Sequence, residues 1–477
     1  MSGEQAGSVL AAAGLVPLLT MREPRIRAAG FLAWAIGVLV VAGDLLSSPV
    51  ATLRVEATRR PALAVAGILL ALVGLAVAAW LLDRWPWLLL IAAVAAAPAR
   101  VPFHAGGQEA NLLVPLYGVI AVAAVVTGWR MLRGASDPVL LGKVGWAAAG
   151  LILFSGVSML WTVDPHQGSV EMLFFYLPFG FLLARLGGLA PGTRDLKLAL
   201  GVQVALALVF AVVAFFQEAT HHLFWNPKVI VGNDYAAFFR VNSLFWDASI
   251  YGRFMALTLV LLAGVCVYKR MVWPVLAVMA VLFAALYFAY SQSSLLALAA
   301  GTLLLGTGFW SRRVTIGLGV GAIVVGLAAL AVALHGNSTK NVSSDRSTLI
   351  SDGVRVVRHH PLDGAGIGGF ARAAVAGTKH PNRVAGAASH TTPMTVVAEI
   401  GPLGLLLYIA LLVSVAAAAL HGPGPPAVRL TLAAAFGALF VASLFYNAFF
   451  EDPASWILMA LIATLPAQTV PLREAPT

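Results

Sequence analysis

The chain has 477 residues, 60% of them hydrophobic and only 10% charged, with a mean hydropathy of +0.90. Soluble domains carry roughly 25% charged residues, so the composition excludes a soluble enzyme. The formal net charge of +10 is scattered through short connections rather than gathered into a nucleic-acid-binding face, and the single cysteine, Cys266, excludes an internal disulfide.

Apolar runs lie near 6–21, 28–48, 60–82, 85–97, 111–129, 144–161, 169–184, 198–216, 249–268, 272–290, 294–310, 314–335, 394–420, 429–449 and 455–468. Most approach the ~20 residues that a helix needs to cross a hydrocarbon core of about 30 Å. Lipid offers backbone groups no water, and long runs rather than short alternating ones fit helices, not a barrel. The expected fold is all-α, a polytopic transmembrane bundle of 12 to 15 spans, the range reflecting the short first and fourth runs. The first run leads into Arg22, Arg25 and Arg27 instead of a small-residue cleavage site, so it is expected to stay in the chain.

Basic residues mark alternate connections: Arg22 to Arg27, Arg130 to Lys143, Arg185 to Lys197, Lys269 with Arg270, and Arg312 with Arg313. The positive-inside tendency makes these cytoplasmic, although Arg54, Arg59 and Arg60 run against the pattern. Alternation then puts 217–248, 336–393 and the Glu451–Asp452 turn outside a plasma membrane. The expected organisation is N-terminal spans over 1–216, an external loop at 217–248, central spans over 249–335, a large external loop at 336–393, and C-terminal spans with a short tail over 394–477.

Loops beyond roughly 15 residues are usually functional. The larger loop carries seven Lys and Arg against three Asp, an exported positive charge that suggests an anionic partner. Within it, Leu349, Ile350, Val354, Val356 and Val357 space as the apolar side of an amphipathic helix that Pro361 stops. Next come Gly364, Gly366 and Gly369 on the spacing of a dinucleotide loop. That motif needs a strand before it and a helix after it inside a βαβ unit, and neither is in place. The glycines are expected instead to make a tight turn with positive φ and close backbone approach.

The stretch "DRSTLISDGVRVVRHHPLDGAGIGGF", followed by "SHTTPMTVVAEIGPLGLLLYIALL", resembles the O-antigen ligase and polymerase superfamily. Its members show an arginine opening a helix, a proline, a G-x-G-x-G-x-F turn, a histidine before the next span and a glutamate-glycine pair inside it. The matching positions are Arg346, Pro361, Gly364, Gly366, Gly368, Phe370, His390, Glu399 and Gly401. Upstream, "FFRVNSLFWDASIYGRFMALTLVLL" is similar to an external segment whose arginine matches Arg240. The span that commonly reads Ser-Arg in the family has Gln292 as its second residue, a departure that leaves that arginine's role unfilled. The resemblance covers roughly 235–420. It implies a GT-C-like, metal-independent glycosyltransferase without cofactor, which moves a glycan from an undecaprenyl-diphosphate-type carrier to a glycolipid or glycan acceptor.

The chemistry suits those residue types. A diphosphate leaving group needs its developing charge met by a metal or by fixed cations, and the external loops show no Asp-x-Asp pair but several arginines. The resemblance gives Arg346 and Arg240 this role, with Arg358, Arg355 and Arg383 as further candidates. The competing reading pairs these arginines with Asp345, Asp352 and Asp247, or with lipid headgroups. His390 suits a general base near neutral pH; the alternative is a polar helix-start residue bonded to Ser389 or Thr391. His359, His360, His380, His221 and His222 match no zinc spacing. Glu399 either orients a polar network or is a packing carboxylate.

The expected function is therefore ligase-like glycan transfer, with polymerisation by the same superfamily as the alternative. A lipid-linked glycan transporter would instead show internal repeats and broken helices near the midplane, and a non-catalytic scaffold would not need His390 or Arg346. The expected partners are the lipid-linked donor, the acceptor and membrane lipid, with no nucleic acid.

Overall fold

A computed structural model describes residues 2–47, 58–105, 108–135, 141–235, 238–269, 273–308, 346–376, 389 and 391–465. Helices dominate. In chain order they begin with α1 (Gly3–Thr20), α2 (Pro24–Leu45), α3 (Pro61–Arg84) and α4 (Leu88–Ala96). A hairpin of β1 (Val101–Ala105) and β2 (Gln108–Leu112) follows, antiparallel with Val101 opposite Leu112. The apolar reading of the sequence does not foresee it; Gly106 and Gly107 between the strands are its signal, since a two-residue glycine pair suits a hairpin connection.

Next come α5 (Val114–Leu132), α6 (Gly142–Ser158) and α7 (Pro165–Glu171), then a π turn over Met172–Tyr176 that runs into α8 (Leu177–Leu186). After these lie α9 (Thr193–Thr220), α10 (Pro227–Tyr235), α11 (Ala248–Lys269), α12 (Trp273–Tyr287) and α13 (Gln292–Gly306). The chain closes with α14 (Arg346–His359), α15 (Phe370–Ala376), α16 (Thr392–His421), α17 (Pro426–Ser443) and α18 (Pro453–Thr464).

Among the described residues, eight segments are long and apolar enough to cross a membrane: α2, α3, α5, the α7–α8 run, α9, α11, α16 and α17. Four shorter apolar helices, α6, α12, α13 and α18, pack among them. The protein is a polytopic helical membrane protein. The span expected near 314–335 lies outside the described residues.

Small residues set the tightest helix packing, as they do where lipid removes the hydrophobic drive between helices. A Cβ on Gly14 would stand 2.4 Å from the Trp34 amide, and one on Gly37 2.5 Å from that of Ala11, so α1 and α2 touch backbone to backbone. The main core joins α6, α8, α16 and α18 around Trp456, Phe179, Phe181 and Tyr408, all buried. A second core gathers Phe210 of α9, Tyr251 and Met255 of α11 and Leu282 of α12.

One end of the bundle collects the connections that matter for function. Val163, after α6, donates its amide to Ala365 O at 2.9 Å. Arg253, near the start of α11, meets Asp452 at the start of α18. Glu451 shares a small cavity with Ile367 and Glu399. This end is termed the loop face below.

Candidate functional site

The loop face is organised by a break in α16. Pro402 has no N–H to donate and its ring clashes with the preceding turn, so the carbonyls before it lose their helical partners. The backbone leaves helical geometry at Ile400 (φ −117°, ψ 18°) and Gly401 (φ 66°, ψ −173°). The glycine turn supplies the missing donors: Ala365 N–H bonds Ala398 O at 2.8 Å, and Gly366 N–H bonds Glu399 O at 2.7 Å. An orphaned carbonyl in lipid is costly, so this turn completes the membrane helix.

The fit requires glycine. Gly364, Gly366 and Gly368 have φ of +69°, +79° and +70°, a region costly for residues with a Cβ. A Cβ would fall 2.3 Å from Glu399 O at Gly364, 2.1 Å from Thr162 Cα at Gly366, and 2.4 Å from the Gly168 amide at Gly368. Side chains of the α6–α7 corner stitch the other side. Thr162 Oγ1 donates to Ile367 O at 2.9 Å and Trp161 Nε1 to Asp363 O at 3.0 Å, while Ser158 Oγ accepts from the Ile367 amide at 3.1 Å. Pro361 stands two residues past the end of α14 and ends the helix there. Among the described residues, helices α14 and α15, not a βαβ unit, flank these glycines.

Beneath the turn lies a cavity of about 30 Å³, the size of a single water. Glu171, Thr392, Thr395, Glu399, Asn447 and Glu451 supply its polar lining. Glu399 is 4% exposed and its Oε1 accepts from the Phe370 amide at 3.3 Å, which ties the start of α15 to α16. Thr392 is 1% exposed and its hydroxyl has no protein partner among the described residues. Burial pushes the Glu451 carboxyl up to about 7, against the lowering pull of Arg100 and Arg253.

A second, far larger space of about 590 Å³ runs along the bundle between α4, α9, α11, α17 and α18. Its walls are apolar, with Val204, Phe254, Leu257, Leu261, Ile457 and Leu458 among them. At the loop face it ends at Arg100, Arg253 and Asp452; at the other end it reaches Thr193, Lys197 and Ala427. Arg253 Nε lies 2.9 Å from Asp452 Oδ2, an ion pair whose N–H is off the line of a hydrogen bond, and its guanidinium stands 5.7 Å from the Tyr446 ring centre. Arg100 is half-buried.

The sequence candidates fall into three groups. Arg240 reaches the loop face, where its Nε donates to Ala289 O at 3.3 Å and its backbone exchanges hydrogen bonds with the Asn233 amide group at 3.1 Å. It lines neither cavity among the described residues. Arg355 binds Asp352 at 2.7 Å and Ala374 O at 2.8 Å, pinning α14 to α15, and Arg358 is exposed on the last turn of α14. Arg346 opens α14 as an element, but its side chain, together with His390 and Arg383, lies outside the described residues. Ser389 Oγ and Thr395 Oγ1 pair at 2.7 Å on either side of the α16 start.

The sequence reading assigns no role to Arg100, Arg253 or Glu171. The signal for two of them is available, because Arg253 and Glu171 interrupt apolar segments, and an ionisable residue inside a span is a functional candidate by default.

No curated protein matches the chain. Residues 276–409, which include α14, the glycine turn and the broken first part of α16, match the O-antigen ligase family. The match is consistent with the O-antigen ligase and polymerase superfamily, whose members are membrane glycosyltransferase-like enzymes.

Proposed function

We propose that the protein transfers a glycan from a polyprenyl-diphosphate carrier to a glycolipid or glycan acceptor at the loop face, on the outer side of the plasma membrane. The observation that carries this reading is the place of the family match. It covers the loop and helix break that seal the loop face, next to the end of the membrane-deep apolar space that carries Arg100 and Arg253.

In the proposed step His390 accepts the proton of the acceptor hydroxyl as its oxygen bonds to the anomeric carbon. The bond from that carbon to the carrier phosphate breaks, its electron pair leaves with the diphosphate, and the configuration inverts. A positioned base contributes typically 10²- to 10⁴-fold. Arg346 and Arg240 meet the departing charge; a cation 4 Å from an anion at an effective dielectric of 20 is worth about 4 kcal/mol. Fixed arginines, rather than a divalent ion, supply this stabilisation in the proposal, so chelator leaves turnover intact.

Reconstitution in vesicles with a polyprenyl-diphosphate glycan and candidate acceptors, with products resolved by mass, tests the reading. A single glycan added per acceptor is the ligase result, and serial extension of the glycan is the polymerase result. Absence of either product from folded protein with every acceptor rejects transfer.

A further inference from the structure

The cavity beneath the glycine turn holds more acid than packing needs. Glu171 of α7, Glu399 of α16 and Glu451 of the α17–α18 connection line a space of about 30 Å³. All three act electrostatically on Tyr176 of the π turn, which lines it too. Ionisable groups set into membrane helices are expensive and are kept for a function. Three like charges around a space of one water repel one another, so at least one proton stays among them.

Cations offset only part of this charge. Arg100, before β1, and Arg253 of α11 face Glu451, but Arg253 is also paired with Asp452 at 2.9 Å. Counting Asp452, four carboxyl groups stand against these two arginines. Tyr117 of α5 and Tyr446, which also face Glu451, are phenols and carry no charge near neutral pH.

A second observation points to an occupant. Thr392 lines the cavity at 1% exposed, yet its hydroxyl has no protein partner among the described residues. Buried hydroxyls are rarely left unsatisfied, and an ordered water is the usual partner where the protein offers none. The space has the volume of one water, and Thr392, Thr395 and the carboxyl groups supply the two to four partners that a water needs. Among the described residues no three acidic, histidine or cysteine side chains are placed to hold a metal ion, so the geometry fits water rather than a cation.

Polar groups lead from this space in two directions. Toward the start of α16, Thr395 Oγ1 pairs with Ser389 Oγ at 2.7 Å, and Ser389 directly precedes His390, the base of the proposed transfer, in the chain. Toward the loop face, Glu451 is half-buried and adjoins Asp452 at the end of the apolar groove.

We infer that the cavity is a proton-relay site, in which a water held by Thr392 shares one proton among Glu171, Glu399 and Glu451 and passes the acceptor's proton out to solvent. The relay rests on the transfer reading above. The proton taken from the acceptor hydroxyl enters at Thr395 while the resident proton leaves from Glu451 to water at the loop face. The number of protons held is the same after each transfer, and no further reactant is needed.

The test reads the proton before the chemistry. Infrared spectra of the full chain in H2O and D2O near neutral pH are expected to show a protonated carboxyl band that shifts on deuteration. Glu171→Gln, Glu399→Gln and Glu451→Gln should each alter this same band. Thr392→Val, which removes the hydroxyl at nearly constant shape, should shift it. Absence of the band from folded wild type, or a band that only one of the three Gln variants alters, overturns the inference. In single-turnover glycan transfer, Thr392→Val should slow the step about tenfold, the size of one lost hydrogen bond, with carrier and acceptor affinities unchanged and Thr392→Ser restoring the rate. The wild-type rate in Thr392→Val overturns the relay. A shared band in a wild type that transfers no glycan leaves the proton site standing and rejects the function; transfer by a wild type without the band does the reverse.

Discussion

The glycine turn and the apolar groove meet at the same end of the bundle and are built on opposite rules. In the turn, five backbone or side-chain donors from 161–163 and 365–366 are matched to carbonyls of 363–367 and 398–399, and there is no space for a methyl group on Gly364, Gly366 or Gly368. In the groove, helices stand apart around about 590 Å³, and Gly201 faces open space. Buried backbone must be satisfied internally when a membrane helix breaks, so a region saturated with its own bonds is scaffold. A region left open, with Arg100 at one end making no hydrogen bond or ion pair among the described residues, is shaped for something else.

Substitutions to a larger side chain should separate the two regions most sharply. Gly366→Val faces both a φ of +79° and a Cβ 2.1 Å from Thr162 Cα. Strain of about 1–3 kcal/mol and overpacking of about 1–3 kcal/mol act together, so a loss of folded monomer is expected on size exclusion and in thermal unfolding. Gly201→Phe should change thermal stability by no more than about 0.5 kcal/mol. Equal stability of the two variants would erase the distinction.

A smaller effect is expected where the scaffold is held by a half-exposed charge. Arg355→Ala removes the bonds to Asp352 and Ala374 O that fasten α14 to α15. Solvent screening limits the cost to about 1 kcal/mol, and hydrogen exchange should rise in 346–376 while α9 and α11 keep their protection. Unchanged exchange in α14 would show that the apolar contacts of Val356 and Phe370 suffice.

The smallest effect is expected where the two regions meet. Glu451 is surrounded by Arg100 beyond α4, Arg253 of α11, Asp452 and Tyr446 of its own loop, Glu171 of α7 and Glu399 of α16. Its carboxyl is pushed up to about 7 by burial, from an ordinary value of 4.5. The stability that its protonation contributes is therefore fully present below 4.5 and lost as pH rises through about 7, so thermal stability should fall over this window. Solvent screening at this half-buried residue keeps the change within about 1 kcal/mol. Glu451→Gln should flatten this dependence; an unaltered pH profile in the variant would remove Glu451 as its source.

These contrasts also explain what the amino-acid sequence makes legible. Span positions follow from apolar length alone, and α14 is readable from the spacing of Val354, Val356 and Val357 with Pro361 beyond. The glycines announce a turn because only such residues tolerate positive φ. Their partner is less visible: the apolar run at 394–420 reads as one uninterrupted helix, although Gly401-Pro402 is a break signal within it. The groove leaves no local trace at all. It arises where five helices distant in sequence stand apart, and periodicity within any one of them does not encode that gap. Arg100 and Arg253 come together only at its end, whereas the resemblance directs attention to Arg240 and Arg346.

Glycan transfer at the loop face is tested most directly by single-turnover mass analysis of reconstituted wild type and His390→Ala, with polyprenyl-diphosphate glycan and an acceptor that wild type uses. The expected result is a fall in transfer of at least about 100-fold with carrier binding unchanged. Transfer by His390→Ala at the wild-type rate would contradict it.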